Sequence, residues 1–170
     1  MLLFKRQRKK LDKIKEARFR LESELQCLVE ENINTLLEID FVKSELVVGN
    51  FRIDTVGFDR ESNSFVIVEY KRDKNKSVID QGMAYMSLLL ENKAEFILAY
   101  NEKFKKSLRK NDVDWTQSRI IFMARSFTMH QKQASGSKDL PIELFEIRNY
   151  DNKTVLFNPI VVKKPNQTTQ

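Results

Sequence analysis

"FRIDTVGFDRESNSFVIVEYK", residues 51–71, decides how this chain folds. Phe51–Phe58 and Ser64–Lys71 are both β-type runs, and the polar stretch between them suits a hairpin connection. Closed symmetrically about Glu61-Ser62, the hairpin sets Asp59 opposite Ser64, Ile53 opposite Tyr70, Arg52 opposite Lys71 and Asp54 opposite Glu69. Residues opposed in this way have Cβ atoms roughly 4.5–5.5 Å apart. Glu69 and Lys71 are two positions apart, so they share the Asp54 face, with Tyr70 on the other. A slip of one residue would move Asp54 to the wrong face.

Two carboxylates this close repel, and burial disfavours their joint ionisation. A shared proton or a cation between them relieves the conflict. Carboxylate oxygens suit a hard ion such as Mg²⁺, which keeps waters of its own. Lys71 beside the pair suits orienting or deprotonating a water, or stabilising charge on a phosphate. Spacing alone leaves open a purely structural cluster of Asp, Glu, Arg and Lys on an exposed face.

Composition narrows the chemistry. The 170 residues suffice for one domain with a real core. Cys27 is the only cysteine and His130 the only histidine. An internal disulfide, a cysteine zinc site and most Ser-His-Asp schemes are thereby excluded, and catalysis falls to carboxylates and lysine. No apolar run approaches the ~18–20 residues of a membrane span. The opening "MLLFKRQRKK" is too short in its apolar part for a signal peptide, so a cytoplasmic protein is expected. Residues 1–20 hold nine lysines and arginines against Asp12 and Glu16, which is +7 of a net +6. A basic arm on a near-neutral body fits phosphate binding or an anionic membrane surface, or is simply a solvated terminus.

The rest of the chain supplies a frame for the hairpin. Helical spacing runs over residues 20–37, and Leu11, Ile14 and Ala17 extend the same stripe toward the N-terminus. Phe41–Val48 reads as a strand before the hairpin. Val78–Leu90 returns to helical spacing with Ile79, Met83, Met86 and Leu90 on one side. "AEFILAY" (Ala94–Tyr100) reads as a buried strand, "RIIFMA" (Arg119–Ala124) as another, and "PIELFEIR" with "KTVLFNPIVV" as a last pair. Trp115 reads as a packing anchor and His130 as surface decoration. The expected fold class is α/β, a mixed sheet flanked by helices, divided as a basic helical arm over 1–19, a domain over 20–160 and a polar tail over 161–170.

"RID" (Arg52–Asp54) and "VEYK" (Val68–Lys71) together resemble the D-x(n)-E-x-K signature of the PD-(D/E)xK nuclease superfamily, with Ile53 in place of its proline. "QGMAY" supplies Gln81 and Tyr85, similar to the Q-x-x-x-Y element of RecB-like nucleases. "LQCLVEENINTLL" resembles their first core helix, and "DWTQSRIIFMARSFT" and "LPIELFEIRNY" extend the likeness to a microbial family of nuclease-like domains, often followed by a small C-terminal domain; this chain would then be a fragment or a shorter member. The resemblance implies a restriction-endonuclease-like core, αβββαβ. It implies a Mg²⁺ (or Mn²⁺) ion held by Asp54, Glu69, the Tyr70 carbonyl and Glu30, with Glu31 the fallback for Glu30. Lys71 would act on the attacking water and Gln81 would position Lys71 or a nucleotide. Arg52, Arg72, Lys74, Lys76 and Tyr85 would hold nucleic acid.

The implied function is a metal-dependent DNA endonuclease or exonuclease-like phosphodiesterase of repair or restriction type. The alternatives are a catalytically inactive nucleic-acid-binding module on the same fold, and a membrane-surface protein using its basic arm. A hydrophobic hairpin edge is of the kind that supports a homodimer.

Overall fold

The hairpin closes in the register its turn dictates. In the computed structural model, which describes residues 1–71, 78–137 and 140–162, Asp59 pairs with Ser64, Val56 with Ile67 and Thr55 with Val68. Asp59 Oδ1 accepts the N–H groups of Glu61 and Ser62, and Arg119 Nη1 meets Asp59 Oδ2 at 2.9 Å. Short-range hydrogen bonds thus fix the turn, and the turn fixes the faces.

In chain order the elements are β1 (Leu3–Gln7), β2 (Lys10–Ile14), β3 (Glu16–Ala17), α1 (Glu22–Glu31), α2 (Ile33–Leu37), β4 (Asp40–Val48), β5 (Phe51–Asp59) and β6 (Ser64–Lys71). There follow α3 (Val78–Glu91), α4 (Lys93–Phe104), β7 (Arg119–Ala124), α5 (Met129–Ser135), β8 (Ile142–Tyr150) and β9 (Val155–Pro159). Strands β4, β5 and β6 are antiparallel, whereas β6, β7 and β8 run parallel. The pairings β8–β9 and β3–β8 are antiparallel. The result is a mixed sheet flanked by helices, the expected fold class.

Burial follows from position. Ser64 to Tyr70 of β6 and Ile120 to Ala124 of β7 are buried throughout, as central parallel strands covered on both faces must be. Alternation along β6 divides the core. Val66, Val68 and Tyr70 pack with Leu25, Val29 and Ile33 of the first helices. Phe65 and Ile67 pack with Tyr85, Met86, Leu89, Phe96 and Tyr100 of α3 and α4. Trp115 is an anchor as expected: it stacks on Phe65 with ring centroids 5.6 Å apart and donates its indole N–H to the Lys110 carbonyl. His130 is exposed, in the first turn of α5.

Three expectations are corrected. The basic N-terminal segment is a hairpin, β1 with β2, where a helix was expected; Leu3 pairs with Ile14 and Gln7 with Lys10. The three-residue spacing of Leu11, Ile14 and Ala17 does not decide, because the chain reverses at Arg8, whose φ of 55° builds the turn without a glycine. Ala94–Tyr100 lies within helix α4 instead of a strand. Its apolar run is too short to settle the period, but over the full element Phe96, Ala99, Tyr100 and Phe104 fall on one face, the first three of them buried. Helix α3 faces the sheet with Val78, Gly82, Tyr85, Met86 and Leu89, while Met83 and Leu90 are 44% and 41% exposed. Gly82 explains the rotation. A Cβ there would stand 2.6 Å from Ile142 Cδ1 and 3.1 Å from Phe122 Cε2, so only glycine allows this close approach. The docking of α3 carries Gln81 and Tyr85 toward β6.

Candidate active site

The β5–β6 ladder ends at Thr55–Val68. Beyond it, β5 stays with β4, pairing Ile53 with Leu46 and Arg52 with Val47. Strand β6 stays with β7, pairing Glu69 with Phe122 and Lys71 with Ala124. The sheet parts between them, and carboxylates replace the missing backbone bonds. Asp54 N–H donates to Glu69 Oε1 at 3.0 Å, and Tyr70 N–H donates to Asp54 Oδ2 at 3.2 Å. Three expected pairs, Arg52 with Lys71, Ile53 with Tyr70 and Asp54 with Glu69, are therefore absent from the ladder, and Asp54 and Glu69 meet through the Asp54 N–H instead. Arg52 instead reaches toward Glu45 on β4, at 3.8 Å.

Glu69 is only 2% exposed. Burial, then the Asp54 charge, push its carboxyl up to about 8 against the opposing pull of the Asp54 N–H and Lys71. Burial also raises Asp54, countered by the Tyr70 N–H and the charge of Lys71. A hydrogen bond between the two carboxyls favours the proton on Glu69 and the charge on Asp54. Both carboxyls are therefore harder to ionise than a free one, Glu69 the more so. Lys71 Nζ lies 3.8 Å from Glu69 Oε2, and its side chain is 16% exposed.

Glu30 occupies the other side of the sheet. Its Oε1 accepts from Thr55 Oγ1 at 2.5 Å and from Gln26 Nε2 at 3.0 Å, and Thr55 Oγ1 is also 3.0 Å from the Tyr70 hydroxyl. Gln26 Nε2 donates in addition to the Asp54 carbonyl at 2.9 Å. This network holds the backbone around Asp54 from behind. Burial chiefly raises the Tyr70 phenol, with the Thr55 hydrogen bond opposing and the charges of Glu30, Asp54 and Glu69 adding. Among the described residues, no three His, Cys, Asp or Glu side chains stand close enough to share a metal ion. Glu30 does not complete a set of three, and Glu31 is exposed on a separate cavity with Glu24 and Leu28. The position of Glu30 along its helix, set by where α1 crosses the sheet, accounts for this.

Gln81 and Tyr85 belong to the Glu69 face. Gln81 Nε2 is 3.5 Å from the Tyr85 hydroxyl. Burial, then the Glu69 charge, push the Tyr85 phenol up to about 12, with the Gln81 bond opposing and a hydrogen bond to Glu69 adding. Gln81 Oε1 is buried and accepts from no described group. Arg72, Lys74 and Lys76 lie outside the described residues, as does the tail from residue 163.

Sequence reasoning missed Glu22, in the first turn of α1, whose charge acts on Asp54. It also missed Arg125, just past the end of β7, which pairs with Glu16 at 2.6 Å. Both line a cavity that Lys71 enters as well. Helical phase offered a faint signal for Glu22, since it precedes Gln26 and Glu30 at intervals of four.

The mixed sheet with its flanking helices is the endonuclease fold. The structure is similar to that of EndoMS in a complex with double-stranded DNA, with a TM-score of 0.51 and 19% identity, over 78% of this chain and 47% of that one. A repair endonuclease from Pyrococcus abyssi aligns over 78% of this chain and half of its own, at 21% identity and a TM-score of 0.48. An uncharacterised protein of Haemophilus influenzae is 48% identical over 160 residues, 94% of this chain and 53% of that protein. The chain thus spans about half the length of that relative. No family model matches the chain. Among the described residues, no helix is long and apolar enough to cross a membrane.

Proposed function

We propose that this domain is a divalent-metal-dependent phosphodiesterase acting on DNA, with Asp54, Glu69 and Lys71 at its centre. One observation carries the proposal. A carboxyl pair, Glu69 buried and Asp54 half-buried, is bonded across parted strands and has an ammonium group 3.8 Å from Glu69 on the same side. The residues fit a Mg²⁺ or Mn²⁺ ion: two neighbouring carboxyls, both raised by burial, are a hard oxygen donor set, and Mg²⁺ is commonly held by one or two carboxylates plus phosphate. Asp54, Glu69 and the Tyr70 carbonyl would hold it. A bound ion there would polarise a phosphate oxygen and lower the pKa of an attacking water.

The chain's own groups divide the remaining work. Lys71 balances negative charge that develops on the phosphate and orients the attacking water. Gln81 Oε1, buried without a described partner, accepts from that ammonium or from the water. Tyr85, whose phenol feels the Glu69 charge, is placed to orient that carboxyl. Glu30 acts through Thr55 and Gln26 to position the Asp54 backbone, which makes it a positioning residue instead of a ligand. Arg52, with Arg72, Lys74 and Lys76, contributes phosphate contacts, as does the basic hairpin β1–β2. The fold of EndoMS, solved with double-stranded DNA, supports DNA as the substrate class.

The test is incubation with single-stranded, duplex and branched DNA, with Mg²⁺, with Mn²⁺ and with chelator. Cleavage that requires the metal and is lost with chelator is expected. Binding with no cleavage in any metal condition would leave a nucleic-acid-binding module.

A further inference from the structure

A cavity of about 320 Å³ opens beside Lys71, and its composition is distinct from that of the carboxyl pair. It lies beyond the carboxyl ends of three parallel strands. Lys71 ends β6, Arg125 follows β7, and Arg148 is near the end of β8. Open α/β sheets bind their ligands at that end. The segment between β3 and α1 closes the opposite wall and brings Arg18 and Arg20.

Among the described residues, five cationic side chains therefore meet two carboxylates, Glu16 and Glu22. Glu16 already pairs with Arg125, at 2.6 Å. Arg148 stands 3.7 Å from Glu146 and its charge also acts on Glu16, while its Nε is buried without a hydrogen-bond partner among the described residues. Among the described residues neither Arg18 nor Arg20 forms a salt bridge within 4 Å, although the charge of Arg18 acts on Glu16. A buried donor left unsatisfied is costly, and here it lines a cavity whose described side chains carry more positive than negative charge. Phe19, Leu25 and Ile147 add an apolar portion.

Size and charge select the ligand. The volume is at the lower end of the ~300–1,000 Å³ of small-molecule sites, so it admits a single nucleotide-sized group and excludes a duplex. A neutral base would leave the arginines unanswered. A phosphomonoester carries about −1.5 to −2 charges, more than the single charge of an internal diester. We infer that the cavity bounded by Lys71, Arg18, Arg20, Arg125 and Arg148 binds the phosphorylated end of a nucleic-acid strand. This rests on the phosphodiesterase proposal for the adjoining carboxyls, and it makes the domain an enzyme that works from, or close to, a phosphorylated end. Because Lys71 borders both the cavity and Glu69, the diester presented to the carboxyls is one of the first from that end.

The experiment measures binding in chelator, where no cleavage is expected. Single-stranded oligonucleotides of one sequence carry a 5′-phosphate, a 3′-phosphate or neither, and fluorescence anisotropy gives their Kd values. One phosphorylated form is expected to bind about tenfold more tightly than the unphosphorylated strand, and which one assigns the polarity. Arg20→Ala and Arg148→Gln are expected to reduce that ratio toward one. Arg20 is exposed, so its variant keeps the comparison available if Arg148→Gln folds poorly. Equal affinity of all three strands for the wild type would overturn the inference. So would a nucleoside monophosphate that competes as strongly as the phosphorylated strand, since the cavity would then serve free nucleotides. Cleavage is read separately: an end preference without cleavage retains the cavity and removes the phosphodiesterase, and the reverse removes only the cavity.

Discussion

Asp54 and Glu69 are joined where their strands separate: the Asp54 N–H donates to Glu69 Oε1 at 3.0 Å, a bond that in a continued ladder would go to a backbone carbonyl. The carboxyl pair thereby substitutes for backbone pairing at the parting of the sheet. Removing one charge from the pair should stabilise the metal-free fold. Asp54→Asn is expected to raise the melting temperature in chelator and to reduce the further rise that millimolar Mg²⁺ gives the wild type, since a ligand stabilises only what it binds. Thermal melts of both proteins, with and without the ion, check this. An equal Mg²⁺ shift in the two would exclude Asp54 as a ligand.

The same pair predicts a pH dependence. The ordinary value of Glu69 is 4.5, and the folded protein pushes it up to about 8. A carboxyl raised in the fold binds its proton more tightly there than in the unfolded chain. Its contribution to stability is fully present below the unfolded value and is lost as pH rises through the folded one. In chelator, the melting temperature should therefore fall between about pH 5 and pH 8, and Glu69→Gln should flatten the decline. Asp59 and Glu16, both lowered in the fold, act at more acid pH and do not obscure this window. A wild-type melting temperature that is level from pH 5 to pH 8 would contradict the protonated pair.

On the far side of the sheet, Thr55 is fully buried and bonds both Glu30 and the Tyr70 hydroxyl. Thr55→Val keeps the shape and deletes both bonds. Leaving buried polar groups unpaired costs about 1–3 kcal/mol, read as a lower midpoint in urea unfolding. Tyr70→Phe added to Thr55→Val should cost less than Tyr70→Phe alone, because the two share one interaction. Strict additivity would mean that the network contributes nothing.

Much of this site was legible before the structure. The turn at Glu61-Ser62 fixes the register, and a period of two then fixes which side chains share a face, so Asp54, Glu69 and Lys71 followed from local chemistry alone. The parting of the strands was not legible, because it depends on β5 following β4 while β6 follows β7. Glu22, Gln26 and Glu30 lie at intervals of four on α1, so phase cannot tell which of them approaches the carboxyls; the crossing point of helix and sheet decides, and that is a tertiary quantity. The N-terminal hairpin escaped because Arg8 and Lys9 carry no turn signature, and α4 because a short apolar run fits either period.

The hairpin itself is testable. Deleting residues 1–14 removes Lys5, Arg6, Arg8, Lys9, Lys10 and Lys13 while retaining the wall of the cavity that starts at Glu16. DNA affinity is expected to fall, and the slope of log K against log salt to become shallower by ~0.7–0.9 for each phosphate that the shortened protein no longer neutralises. Titrations at several salt concentrations measure it. An unchanged slope would return the hairpin to a solvated terminus.

The most direct test of the central claim is the single-turnover cleavage rate of Lys71→Ala against wild type in Mg²⁺, with DNA affinity and melting temperature measured on the same preparations. Loss of a charge-stabilising or water-orienting group typically lowers a rate by ~10²–10³. Cleavage reduced by that factor, with folding and DNA binding retained, is the predicted result. Cleavage by Lys71→Ala at the wild-type rate, or a wild type that cuts no DNA in Mg²⁺ or Mn²⁺, would contradict the assignment of Asp54, Glu69 and Lys71 as a phosphodiesterase site.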